Sequence, residues 1–454
     1  MTHPLDADHL FAYMFASEGT GEGDVDDASM RPRRRRREQA VVTRGKKVHM
    51  PQIDNPQKQY YYAEELDYYN SLTWEQRKRI ADTEQRIMDA MQVAAPIRFK
   101  ILTSGISDYL KTLAVRKLEA VYRMDPSQSE YNKSMQWIEA LCRLPVGKYA
   151  PIPVTPSSTL IEKRLFMKNA RDTLENAVFG HKQAKETIIR LMAQWITKPD
   201  AKGIILGIHG PPGTGKTSLC VHGISKALGI PSAFISLGGI SDGAVLQGHS
   251  YTYEGSTWGR IADVLMNVKV SNPLLMFDEL DKVSQTRHGD EIINLLIHMT
   301  DPAQNDKFTD RYFGDAHIDL SRCVIVFSYN DEERISPVLR DRMFRIQTNG
   351  YAVPDKLEIT RRHLLPAVLE QHAFDAGQIN FSDATLRNII SSIDDEKGVR
   401  NLKRALHTIV GDINLKRVMD PHTQFPMNVT AADVAPVIKS LSTCQKAFVS
   451  SMYL

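Results

Sequence analysis

Apolar positions are few and aperiodic through residue 55, so residues 1–55 read as a disordered tail. From Tyr60 the pattern changes. Tyr60, Tyr61, Tyr62, Leu66, Tyr68, Tyr69 and Leu72 lead into spacing that predicts a helix over 73–91. Thr73 and Gln76 stand three apart at its start, as a capping box requires. Helical spacing continues over 97–122 and 131–144, where Pro145 stops it. The tyrosines at helical spacing read as core positions, with an interaction surface as the other reading. Pro151, Pro153 and Pro156 then mark a linker.

After a helical stretch over 158–195, interrupted near Phe179 and Gly180, short apolar runs alternate with helical ones. The runs over 203–208, 233–237, 273–277, 323–327 and 344–346 predict buried strands. That alternation predicts an α/β fold with a parallel, helix-covered sheet. Beyond Pro354 strand signals vanish. Helices are expected over 355–372, 382–393 and 398–419, the second with Ser382 as its N-cap. The division expected is a tail (1–55), a helical N-terminal domain (56–155), an α/β nucleotide-binding domain (156–350) and a helical lid with the C-terminal tail (351–454).

Composition narrows the class. Hydrophobic content of 42% and charged content of 24% are those of a globular protein, and the formal charge is +3. Residues 1–30 hold seven acidic residues and no Lys or Arg, and a basic segment follows: Arg31, the run from Arg33 to Arg37, Arg44, Lys46 and Lys47. That segment reads as a solvated tail, or as a nuclear-import signal or nucleic-acid contact. Cys142, Cys220, Cys323 and Cys444 lie far apart with no CxxC pair, which argues against a zinc site or a disulfide framework. No apolar stretch approaches membrane-spanning length, so no membrane partner is expected and an intracellular, soluble, cytoplasmic or nuclear protein is.

The strongest chemical signal is Gly210, Pro211, Pro212, Gly213, Thr214, Gly215, Lys216 and Thr217, followed by Ser218. It matches GxxxxGK[ST] and lies between a predicted strand and a predicted helix, the context that a phosphate-binding loop needs. Gly213 and Gly215 let successive N–H groups face a triphosphate, and the helix N-terminus adds its positive end. Lys216 would place its charge on the β- and γ-phosphates of ATP, and Thr217 its hydroxyl on Mg²⁺. The strand over 273–277 ends in Asp278 and Glu279; Asp278 would join the Mg²⁺ shell, and Glu279 would orient the attacking water. Asn330, beyond the strand over 323–327, could bridge the γ-phosphate and that water, or serve only as a turn residue. Arg342 and Arg400 are further candidates that chemistry alone does not single out.

From about Met135 onward the chain resembles the ATPase part of the Lon family of AAA+ proteases. The resemblance is carried by Phe179-Gly-His-Lys182, Ile235-Ser-Leu-Gly-Gly239, Gly248-His249, Thr252-Tyr-Glu-Gly255, Asp278-Glu-Leu-Asp-Lys282, Asp301-Pro-Ala-Gln-Asn305, Arg340-Asp-Arg-Met343 and Gly398-Val-Arg-Asn-Leu402, all in the family's order. It implies an AAA+ P-loop NTPase preceded by a helical domain and closed by a helical lid. Phe179, Gly180 and His181 become the adenine-contacting linker, Asn330 sensor 1, Arg400 sensor 2, and Arg342 an arginine finger acting on a neighbouring subunit. A finger acting in trans implies a ring, as a homo-hexamer. Tyr253, with Glu254 beside it, falls in the pore loop that grips an unfolded chain.

Two departures stand out. Glu254 replaces an aliphatic residue, and Trp258 a small or proline-like one. Only 36 residues follow Val418, too few for the family's Ser–Lys peptidase domain. The expectation is therefore an ATP-hydrolysing unfoldase or protein-remodelling motor without peptidase activity of its own, with a separate peptidase chain as a candidate partner. The alternative is a nucleic-acid-associated AAA+ factor that uses residues 31–47.

Overall fold

The computed structural model describes residues 61–92, 95–198, 204–283, 286–375, 377–393, 396–420 and 425–439. The acidic tail, the basic segment 31–47 and Cys444 lie outside the described residues. By their contacts the described residues form two units, one within 61–103 and 114–138, the other within 104–113 and 139–439. Early helices are α1 (Ala63–Ser71), α2 (Trp74–Gln92), α3 (Ile97–Thr103), α4 (Asp108–Val121) and α5 (Ser129–Arg143). The expected capping box opens α2: the Gln76 side chain accepts from Thr73 N–H at 3.0 Å, and the Thr73 hydroxyl accepts from Gln76 N–H at 3.4 Å. Of the aromatic positions there, Tyr69 is buried, whereas Tyr62, Tyr68 and Tyr122 are exposed. The core reading holds for Tyr69 and fails for these three, Tyr61 is half-buried, and Tyr60 lies outside the described residues.

In the second unit, α6 (Leu160–Ala177) starts at a reciprocal cap between Thr159 and Glu162, and α7 (Lys182–Thr197) follows the break foreseen at Phe179 and Gly180. The strands are β1 (Ile205–His209), β2 (Ser232–Ser236), β3 (Leu274–Asp278), the short hairpin β4 (Phe308–Thr309) and β5 (His317–Ile318), β6 (Val324–Tyr329) and β7 (Phe344–Gln347). Among the described residues the main sheet has five strands in the order β2-β3-β6-β1-β7, all parallel. β6 lies near the middle and is buried along its whole length, which is why 323–327 reads as an unbroken apolar run. Leu174 of α6 and Ile188, Met192 and Trp195 of α7 join one core with Leu206 and Ile208 of β1, Met276 of β3 and Val326 of β6. The glycine-rich turn leads from β1 into helix α8, which runs from Lys216–Ser218 through a π-type stretch, Leu219–Ser225, to Lys226–Leu228. The chain is therefore an α/β protein with a parallel sheet between helical regions.

Beyond Pro354 the chain is mainly helical, as expected, with one correction. Strands β8 (Ile379–Phe381) and β9 (Met427–Val429) form a short parallel pair. Three residues are too few to show a period of two. Ile379 and Val429 are buried in the lid's own core, with Leu402, Leu406, Ile409 and Ile413 of the long helix Arg400–Met419. Ser382 caps the helix Asp383–Ser392, accepting from Thr385 N–H at 3.1 Å. No helix of the described residues is long and apolar enough to cross a membrane.

Hairpin β4–β5 carries a structural carboxylate. Asp310 is fully buried and accepts Gly259 N–H at 2.8 Å and Tyr312 N–H at 2.9 Å, pinning one end of the loop 248–259. Burial pushes its pKa up to about 6, and the two N–H groups act in the opposite sense. A carboxyl whose folded value exceeds the unfolded one contributes stability when protonated, and loses that contribution as pH rises through the folded value. The stability of the natural chain relative to Asp310→Asn is therefore expected to fall, by up to about 3 kcal/mol, as pH rises from about 4 to about 7. Urea unfolding of both proteins across that range checks this; a gap that is flat or widens with pH would contradict it.

Candidate active site

The glycine-rich turn leaves β1 at the carboxyl edge of the sheet, where open α/β folds bind ligands. Gly210 has φ 155°, and a Cβ there would meet Thr348 O at 2.2 Å, so the turn can lie this close to the exit of β7 only with glycine. Thr348 holds it from that side: Thr348 N–H donates to His209 O at 2.7 Å, and the hydroxyls of Thr214 and Thr348 lie 3.1 Å apart.

Lys216 is buried, and its ammonium donates to Gly210 O at 2.6 Å, Pro211 O at 3.1 Å and Asn330 Oδ1 at 2.7 Å. Desolvation lowers its pKa below the ordinary value, opposed by the nearby charges of Asp278 and Asp281. Asn330 is thus brought against Lys216 from 114 positions away in sequence. Asp281 explains how. Its buried carboxylate accepts Asn330 N–H at 3.3 Å and Asp331 N–H at 3.2 Å, fixing the exit of β6. Sequence reasoning assigned Asp281 no role; its signal was a carboxylate three residues after a strand-end Asp, in a run otherwise read for Asp278 and Glu279.

Asp278 ends β3, and its carboxylate accepts the Ser328 hydroxyl of neighbouring β6. Glu279, in the left-handed region at φ 62°, turns the chain into the single turn Leu280–Lys282. Its carboxylate pairs with Lys282 and lies over Gly238, where a Cβ would come within 2.0 Å of Glu279 Oε2. Thr217 and Ser218, in the first turn of α8, are exposed and half-buried.

The linker and the lid close on this loop. His181 has its Nε2 2.9 Å from both Thr214 O and the Tyr351 hydroxyl, and burial lowers its pKa. Tyr351 donates to Thr214 O at 2.8 Å, with Phe179 O 3.3 Å away. The linker Phe179, Gly180, His181 is thereby tied to the glycine-rich turn through a tyrosine that no motif indicated; its sole signal was an aromatic just after a strand exit and a glycine. From the lid, Val399 N–H donates to Gly213 O at 3.1 Å, and Arg400 opens its helix beside Gly213 with an exposed side chain. Glu396 caps that helix, accepting Asn401 N–H at 2.7 Å and Leu402 N–H at 3.2 Å.

Three predicted residues lie elsewhere. Arg342 is bonded to Ile297 O and Asp301 of its own chain rather than gathered at the loop. Tyr253 and Glu254 are exposed at the tip of the loop 248–259. Trp258 is half-buried at the loop's base, edge-on to the Tyr312 ring at 5.7 Å, with its indole N–H donating to Asp263 at 3.4 Å. Its bulk therefore serves the anchor of the loop and not its tip.

Residues 206–351 match the family model for the ATPase family associated with various cellular activities (AAA), and residues 370–425 match that for the Lon protease AAA+ ATPase lid domain. Similar proteins include a Lon protease homolog of Acanthamoeba polyphaga mimivirus, 40% identical over 57% of this chain and 25% of the relative. The Lon protease of Desulfosudis oleivorans is 35% identical over 80% of this chain and 42% of the relative. The peroxisomal Lon protease homolog 2 of Arabidopsis thaliana is 36% identical over 78% of this chain and 37% of its own length. The chain spans less than half the length of these curated relatives.

The lid contact makes a specific demand. A Cβ on Gly398 would lie 2.3 Å from Pro212 O and 2.6 Å from the Gly213 carbonyl carbon, both backbone atoms. Gly398→Ala is expected to lift the lid from the turn and to weaken binding of a non-hydrolysable ATP analogue about tenfold, a loss of about 1.4 kcal/mol. Calorimetric titration against the natural chain measures this; unchanged affinity would show that the contact does not matter for binding.

Proposed function

Because this chain is a Lon-family AAA+ module, with an AAA ATPase domain followed by a Lon-type lid, we propose that it is an ATP-driven unfoldase or protein-remodelling motor that works as a homo-hexameric ring. Its own chemistry is hydrolysis of ATP. Cleavage of peptide bonds falls, in this reading, to a separate peptidase chain.

In this reading the site residues divide the work as follows. Backbone N–H groups of Gly213, Thr214 and Gly215 and the Lys216 ammonium bind the phosphates. Phe179, Gly180 and His181, backed by Tyr351, form the adenine side of the site. Thr217 and Asp278 offer a hydroxyl and a carboxylate, the hard oxygen donors that Mg²⁺ takes; the ion would supply positive charge beside the β- and γ-phosphates. The Glu279 carboxylate, once it leaves Lys282, orients water for attack on the γ-phosphorus, with the Asn330 amide bridging the two. Arg400 reaches the phosphates from the lid, and Arg342 those of the neighbouring subunit.

The observation that carries the motor reading is the exposed Tyr253–Glu254 tip on a loop whose base is pinned by Asp310 and Trp258. An aromatic presented on a firmly held loop grips polypeptide by apolar contact without reading its sequence. Glu254 adds a negative charge beside it and would favour basic over acidic segments.

The test is steady-state ATPase activity with and without a permanently unfolded protein. Activity is expected to rise with unfolded protein, to fall at least about tenfold in Glu279→Gln, and in Tyr253→Ala to persist without stimulation. Activity indifferent to unfolded protein would defeat the motor reading, and degradation of that protein by this chain alone would overturn the division of labour.

A further inference from the structure

Arg342 is held inside its own subunit by one short stretch of chain. It follows the single turn Pro337–Asp341, and its guanidinium reaches the carboxyl end of the helix Arg287–Thr300. Nη1 donates to Ile297 O at 2.5 Å, and Nη2 to Asp301 Oδ2 at 3.3 Å. The end of a helix offers unsatisfied carbonyls and partial negative charge, so a cation is at home there. Asp301 is itself fixed. Its Oδ1 accepts Ala303 N–H at 2.9 Å and its Oδ2 the Gln304 amide at 3.2 Å. The Ala303 N–H, and to a lesser degree Arg342, hold its carboxyl below the usual range. Arg342 keeps 27% of its side chain exposed, and a guanidinium has five N–H donors in one plane, of which these contacts use two.

We propose that Asp301 is a positioning residue for ATP hydrolysis, holding one edge of the Arg342 guanidinium so that its remaining donors face the nucleotide of the neighbouring subunit. This rests on the trans role of Arg342 proposed above. An unanchored arginine spreads over many rotamers; one pinned along an edge presents its other donors in a fixed plane, and placement of charge is what phosphoryl transfer requires. The arrangement also accounts for a residue expected to act on a neighbour being bonded here within its own chain.

The test uses the full chain. Asp301→Asn keeps an acceptor for Ala303 N–H and removes the charge that faces Arg342. It is expected to lower kcat about tenfold with KM for ATP within about twofold, and to leave the melting temperature unchanged. Mixing then separates aiming from a merely structural contact. Glu279→Gln subunits cannot hydrolyse ATP but carry an intact Asp301–Arg342 pair, so in mixed rings they supply an aimed arginine to the sites of Asp301→Asn subunits. The mixture is expected to exceed the summed activities of its parts, as is a mixture of Arg342→Ala with Glu279→Gln. If Arg342→Ala is impaired and rescued while Asp301→Asn is either unimpaired or impaired but not rescued, the aiming role is overturned and the trans role stands. If Arg342→Ala is unimpaired, or is not rescued, the trans role falls and the proposal with it.

Discussion

Burying the Lys216 ammonium requires acceptors close around it, because a charge taken out of water without partners costs several kcal/mol. Two of those acceptors, Gly210 O and Pro211 O, belong to the turn itself; the third is the Asn330 side chain from beyond β6. Much of the site's layout follows from that third bond. Asn330 must be held in register, and the Asp281 carboxylate does so through two N–H groups. Asp281 is in turn carried by the turn that Glu279 makes after β3. The lysine, the acidic pair and the asparagine are thus mechanically joined across three neighbouring strands.

The same turn is clasped from two further sides. Tyr351 and His181 tie it to the linker, and Gly398 and Val399 bring the lid onto its outer surface. A ligand that enters this space meets the sheet, the linker and the lid at once. Differential contact with such elements is what lets binding or loss of a phosphate shift their arrangement, since a ligand moves an equilibrium only as far as it prefers one state.

Away from the phosphate-binding turn, a second buried charge organises the loop 248–259. Asp310 satisfies the amide of Gly259, and Trp258 and Tyr251 pack edge-on to Tyr312, so the exposed Tyr253 stands on a firm base. Asp310 and Lys216 are both charged groups buried where only backbone or amide partners can satisfy them, and in each case a surface element depends on the bond.

By itself the amino-acid sequence determined the sheet strands, the glycine-rich turn and the strand-end acids, because these rest on local signals: runs three to six residues long, glycines at fixed spacing, and caps such as Thr73 and Ser382. The resemblance carried by ordered motifs extended that to the lid and linker. Only the tertiary structure decided the rest. Asp281, Ser328 and Tyr351 act through hydrogen bonds to groups far off in sequence that folding brings near, and a lone polar residue carries no periodicity to announce itself. The short pair β8–β9 was invisible for a related reason, since the lid's core, assembled only on folding, is what stabilises it. Arg342 shows the limit most plainly: its place in a motif marks it as important, but that it rests on Ile297 and Asp301 depends on where a helix ends in space.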